Sequence, residues 1–144
     1  MGVAVLLAMW SAGLNVVGPN LSDELAEATG DRRYANLVVS VADRYRPGEN
    51  GGAPPPSDPD FRTEDMFMSG AILGRAFKLT GNTKYTAILA NFLLDGKIQQ
   101  SHGLFWHCRS AAYYWGRGNG FAAMGLVESL TYLPEDLPQR PAIV

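Results

Sequence analysis

The chain has 144 residues, 47% of them hydrophobic and 18% charged, a balance that folds rather than stays disordered and that supplies one domain with a modest core. A formal charge of −2 gives no electrostatic case for nucleic acid or an anionic membrane, so neither is expected as a partner. Its single cysteine, Cys108, excludes an internal disulfide and a multi-cysteine zinc site, and fits a cytoplasmic location.

In chain order, the stretch from Met1 to Val17 is apolar and uncharged. It lacks the basic start of a signal peptide and is shorter than a spanning helix. It reads as a buried helix of a helical core, interrupted by Trp10, Ser11, Gly13 and Asn15. A repeat follows. Thr29-Gly30-Asp31-Arg32-Arg33-Tyr34 returns as Thr80-Gly81-Asn82-Thr83-Lys84-Tyr85, 51 residues on. In each copy the glycine can take the left-handed conformation that closes a helix, and the following Asp or Asn can cap the next one. Downstream, Tyr34, Leu37, Val38, Val41 and Ala42 match Tyr85, Ile88, Leu89, Phe92 and Leu93, both sets at helical spacing. Upstream, Leu21 and Leu25 form the apolar face of one copy, and Ile72, Leu73, Ala76 and Phe77 that of the other. Two antiparallel helices joined by a short turn and then repeated are the unit of a helical solenoid or a closed helical toroid.

Between the hairpins lies a Gly/Pro-rich loop, residues 47–60, with Pro54-Pro55-Pro56 at its centre. It cannot be a helix interior, and it is long enough to suggest a functional loop. Gly103 to Phe105 reads as a short strand or turn, and a last helix is predicted from about Gly120 to Tyr132, ended by Pro134, Pro138 and Pro141. No run alternates with a period of two for long enough to support a sheet. The expected fold is therefore all-α: a partial (α/α)6 toroid of about three antiparallel helix hairpins, in a single domain over residues 1–144. Its ends read as unfinished, which suggests a fragment of a larger toroid or a half that pairs with another copy as a homo-oligomer.

Three clusters carry chemistry: Glu64-Asp65-Met66-Phe67-Met68, Gly103-Leu104-Phe105-Trp106-His107, and Trp115-Gly116-Arg117-Gly118-Asn119-Gly120-Phe121. Each lies at the start of a helix or just before one, and in a hairpin toroid those positions gather at one end. Asp65 is either an acid complementing a helix dipole or a general acid/base. Glu64 points to another face and is expected to be solvated. His107 is either a hydrogen-bonded structural residue or a group that orients a sugar carboxylate or hydroxyl. Arg117 offers a planar fork that fits a carboxylate, or else a local salt bridge, and Trp115 a flat face for a sugar ring. The glycines allow close backbone approach and positive φ. Tyr113 and Tyr114 add to the aromatic wall, one of them in the core. The spacing fits neither phosphate-binding glycine loop, and the histidines have no metal-ligand partners, so no cofactor or metal is expected.

These clusters, in this order, resemble the unsaturated rhamnogalacturonyl hydrolases of glycoside hydrolase family 105 and, more distantly, the unsaturated glucuronyl hydrolases of family 88. The resemblance runs from about Asn15 to Pro138, and Trp115-Gly116-Arg117-Gly118-Asn119-Gly120 is its most specific motif. It implies a six-hairpin barrel, more than twice as long as this chain, that cleaves an unsaturated galacturonate from a pectin-derived oligosaccharide. An aspartate protonates the sugar's 4,5 double bond and then, as a base, directs water to C5. The resulting hemiketal rearranges and releases the aglycone. The resemblance assigns that aspartate to Asp65, places His107 and Arg117 against the unsaturated sugar, and lines the site with Trp115, Met68, Asn119 and Phe121. Phe121 stands where the family often has Trp, and no aspartate matches the family's second one, for which Asn15 is the nearest substitute. Two other readings remain: a truncated or inactive saccharide-binding module of the same fold, and a toroid epimerase or isomerase. The last would need paired catalytic histidines, and the chain offers only His102 and His107, five residues apart.

Overall fold

A computed structural model describes residues 22–144. The apolar segment from Met1 to Val17, and with it Asn15, lies outside the described residues. Five α-helices and one β-hairpin follow in order: α1 (Ser22–Thr29), α2 (Arg32–Ala42), α3 (Thr63–Thr80), α4 (Lys84–Asp95), β1 (Trp106–Cys108), β2 (Ala111–Tyr114) and α5 (Gly116–Tyr132). The architecture is all-α, two helix hairpins and a fifth helix forming part of a helical toroid.

The sequence repeat is reproduced contact by contact in the two hairpin turns. Gly30 and Gly81 take left-handed φ of 70° and 68°. Their N–H groups donate to the carbonyls of Ala26 and Phe77 at 2.9 and 2.7 Å. The Thr29 and Thr80 hydroxyls each donate to the carbonyl four residues back at 2.6 Å. Asp31 then accepts from the N–H of Arg33 at 3.0 Å, and Asn82 from that of Lys84 at 3.1 Å, supplying partners to otherwise orphaned helix donors.

The main core joins the hairpins through Val38, Val41, Ile72, Leu73, Tyr85 and Leu89. Each fully buried aliphatic side chain there contributes roughly 1.5–3 kcal/mol. A second cluster, with Phe61, Met66, Phe92, Ile98, Phe105 and Ala122, fills the space beneath the β-hairpin.

Helices α3 and α5 touch through missing side chains. A Cβ on Gly118 would sit 2.8 Å from Thr63 Oγ1, one on Gly125 2.6 Å from the Met66 carbonyl carbon, and one on Gly70 2.6 Å from Ser129 Oγ. These pairings advance together along both helices, so α3 and α5 run parallel and their N-termini share one end. The alternative, larger residues at these positions, would force the axes apart.

Two expectations change. The last helix begins at Gly116, earlier than the predicted Gly120, because glycine's poor helix propensity is offset by the close packing that only glycine permits at Gly118 and Gly125. None of Gly116, Gly118 and Gly120 has positive φ. The chain also forms a two-stranded antiparallel sheet from Trp106 to Tyr114, with a register irregularity between Trp106 and Cys108. Strands this short, with a bulge, never establish a period of two. At the other end of α5, Leu133 is extended (φ −65°, ψ 126°), as a residue before proline prefers, and the helix stops there.

Candidate active site

The shared end of α3 and α5 is assembled by the 47–60 loop and the β-hairpin. The N–H groups of Arg109 and Ser110, in the hairpin turn, each donate to Asp60 at 2.9 Å, to its carbonyl and its Oδ1 respectively. Arg109 Nε donates to the Gly96 carbonyl at 3.1 Å, with its guanidinium 4.0 Å from the centre of the Phe61 ring. Asn119, in the first turns of α5, accepts from the Phe105 N–H at 2.8 Å and donates to the Phe105 carbonyl at 3.0 Å. This amide thus fastens the strand leading into the hairpin to the start of α5.

On that frame the two neighbouring acids of α3 diverge. Asp65 is 4% exposed and accepts from the N–H of Asp58 at 2.8 Å, beneath the proline-rich loop. Close by, Ser57 and Ser69 are paired at 3.2 Å. Burial, opposed by Ser69 and reinforced by the Asp65 charge, pushes the Tyr45 hydroxyl up to about 12. Glu64 turns to the other side. Its carboxylate lies 3.3 Å from His107 Nε2 and 3.3 Å from Arg117 Nη2. The expectation that Glu64 is solvated is therefore corrected: its side chain is only 23% exposed, and it sits at the centre of a polar cluster. The available signal was its four-residue spacing from Met68, which puts both on one helix face.

Around Glu64 the sequence-singled residues converge. His107 is buried, with its ring stacked on Tyr113 at 5.7 Å and set edge-on to Trp115 at 5.1 Å. The Tyr113 hydroxyl lies 3.4 Å from His107 Nδ1. A carboxylate only accepts, so the hydrogen bond to Glu64 is donated by His107 Nε2–H, while the Tyr113 hydroxyl can either donate to Nδ1 or accept from it. The Arg117 guanidinium lies 4.0 Å from the centre of the Trp115 ring, within cation–π range, while its side chain stays 60% exposed. Arg117 has the local salt bridge, yet only one end of its fork is engaged by it. Burial would raise the Glu64 carboxyl pKa, but its own N–H, His107 and Thr63 outweigh that and hold it below the ordinary value.

Phe121, one turn along α5 from Arg117, lies against Phe67 with ring centres 6.2 Å apart. Met68, one turn along α3 from Glu64, is half-buried. Neither Tyr113 nor Tyr114 is core: both are about half exposed, and Tyr114 pairs with His102 Nε2 at 2.9 Å. Successive strand residues face opposite ways, so Tyr113 meets His107 while Tyr114 meets His102.

A cavity of about 200 Å³ lies away from this cluster, among Phe61, Met66, Phe92, Ile98, Phe105 and Leu126. Lys97 and Gln99 share the lining with these apolar residues, and it holds none of Glu64, Asp65, His107, Trp115 and Arg117. Among the described residues no group of three or more His, Cys, Asp or Glu side chains could hold a metal ion, and no helix is long and apolar enough to cross a membrane.

The family model described as Glycosyl Hydrolase Family 88 matches residues 65–144, just over half of the chain. The match begins at Asp65 and spans the whole His107–Trp115–Arg117 region. No match is found among curated proteins, nor among solved structures.

Proposed function

The chain belongs to glycosyl hydrolase family 88, a glycosidase assignment, and from it we propose that the chain removes a 4,5-unsaturated galacturonate from rhamnose-containing pectin oligosaccharides, as family 105 enzymes do. The observation that carries this reading is Arg117. Its guanidinium lies over Trp115, keeps one edge of its fork free, and stands beside the His107–Tyr113 pair. A uronate needs both features at once: a bidentate cation for the carboxylate and a flat aromatic surface for the ring.

In this reading the sugar carboxylate meets Arg117, and Trp115 and Tyr113 face the ring. His107, Met68 and Phe121 line the site, and Asn119 holds the hairpin against α5. Asp65 protonates C4 of the vinyl ether. The same carboxylate then takes a proton from the water that adds at C5, and the hemiketal opens to release the rhamnose-linked aglycone. The reaction needs no cofactor. Its substrate absorbs in the ultraviolet through the double bond, so turnover is read as loss of that absorbance. Asp65→Asn is expected to abolish the loss, and full activity in that variant would remove Asp65 from the role of acid.

A second reading has an observation of its own. With 4% exposure and an Asp58 N–H bond, Asp65 is shielded by the 47–60 loop. That favours a saccharide-binding module without turnover, which would bind the unsaturated disaccharide while its absorbance stays constant.

A further inference from the structure

We propose that the cavity beneath the β-hairpin is a second binding site, taking a small aromatic carboxylate with its ring among Phe61, Phe92 and Phe105 and its charge on Lys97. A folded interior leaves few voids larger than a water molecule. This one measures about 200 Å³, several times the roughly 30 Å³ share of one water. An apolar cavity of about 150 Å³ holds benzene, so the space here takes one ring with a short arm. Its walls offer the hydroxyls of a sugar too few partners. The site shares none of Glu64, His107, Trp115 and Arg117, so it stands or falls separately from the uronate reading.

The aromatic wall is held from behind. Phe61 stacks on Phe92 with ring centres 5.5 Å apart and planes 13° from parallel, and the Arg109 guanidinium lies 4.0 Å from the Phe61 ring centre. Arg109 is itself tied to the Gly96 carbonyl at 3.1 Å, which fixes the stack in place rather than letting it fill the gap. Backbone conformation points to the same spot. Among the described residues three other than glycine have left-handed φ, and two of them, Phe61 at 56° and Lys97 at 52°, line this cavity. Such conformations are costly for large side chains and gather at ligand sites. Lys97 supplies the charge. Of the three lysines in the chain, Lys78 pairs with Asp23 at 3.1 Å and Lys84 with Asp43 at 2.7 Å, while Lys97 has no ion pair among the described residues. It is exposed, as are Gln99 and Ala142, and these three mark the open side of the cavity. An unpaired ammonium at the rim of a phenylalanine-lined cavity matches an anion whose body is a flat ring.

The test is calorimetric titration of the whole chain with trans-cinnamate and with its neutral counterpart, cinnamyl alcohol. The wild-type chain is expected to bind cinnamate roughly tenfold more tightly than the alcohol. Lys97→Met keeps the stem and removes the charge, so it should weaken cinnamate roughly tenfold and leave the alcohol unchanged. Lys97→Arg should restore cinnamate to within about threefold of the wild type. Arg117→Ala should bind cinnamate as the wild type does, because the ring sits in the cavity and not on Trp115. Acid and alcohol binding alike, or Lys97→Met binding cinnamate like the wild type, overturns the proposal. So does loss of cinnamate binding in Arg117→Ala, which would place the ring in the sugar site. A wild-type chain that takes up no cinnamate at concentrations up to about 10 mM also overturns it, whether its own chain or a second copy fills the cavity.

Discussion

Two arginines on the parallel helices α3 and α5 do opposite work. Arg75, in the C-terminal half of α3, is 8% exposed and saturated with carboxylates. It donates to Asp23 at 2.8 Å, to Glu24 at 3.1 Å and to Glu128, with the Tyr132 ring 5.6 Å away. This cluster ties α1, α3 and α5 together. Arg117, at the other end, has one carboxylate at 3.3 Å and most of its surface in solvent. A buried cation held by three carboxylates is part of the frame; an exposed cation on an aromatic face with an edge to spare is available to a ligand. The contrast separates what holds the toroid from what the toroid presents.

The largest expected effect comes from breaking the buried side. Arg75→Met leaves Asp23, 2% exposed, with Lys78 at 3.1 Å as its remaining cation, and should cost about 3–5 kcal/mol, read as the shift of the denaturation midpoint. The pH dependence of the wild type reports the same cluster. Burial would raise the Asp23 carboxyl pKa, but hydrogen bonding and the charges of Arg75 and Lys78 hold it below the ordinary 3.8. A depressed carboxylate contributes stability that is present above its unfolded value and lost as pH falls through its folded one. Acid unfolding should therefore steepen below about pH 4, and much less so in Arg75→Met.

A smaller effect is expected where the helices meet. Gly125→Ala would place a Cβ 2.6 Å from the Met66 carbonyl carbon and 2.7 Å from the Phe67 N, both backbone atoms that cannot swing aside. The expected cost is about 1–3 kcal/mol, measured by denaturant unfolding, with the start of α5 displaced from α3.

The Thr-Gly turns, the helix periodicity and the clustering at one end were legible in the sequence because they rest on local chemistry. A glycine that must take φ of 68°, a threonine beside it and an Asn one residue on leave little else for that turn to be. The α3–α5 contact was less legible. Gly118 lies ahead of the predicted helix, among glycines read as allowing positive φ, and Gly70 and Gly125 give no signal of a contact until the partner helix explains them. Glu64 was hidden by its neighbour: adjacent acids on a helix start look alike, and only the partner strand and helix decide that Asp65 goes beneath the loop while Glu64 faces His107. The β-hairpin was missed because its strands are only three and four residues long.

The central claim is that Arg117 serves a ligand where Arg75 serves the fold. Titration of Arg117→Ala with an unsaturated galacturonyl-rhamnose disaccharide tests it most directly, alongside a melting curve. Removing an exposed cation should shift stability by no more than about 0.5 kcal/mol. Losing the charge-assisted bonds to the sugar carboxylate should weaken binding about 10- to 100-fold. An Arg117→Ala variant that binds the disaccharide like the wild type, or that loses stability on the scale of Arg75→Met, would contradict the account.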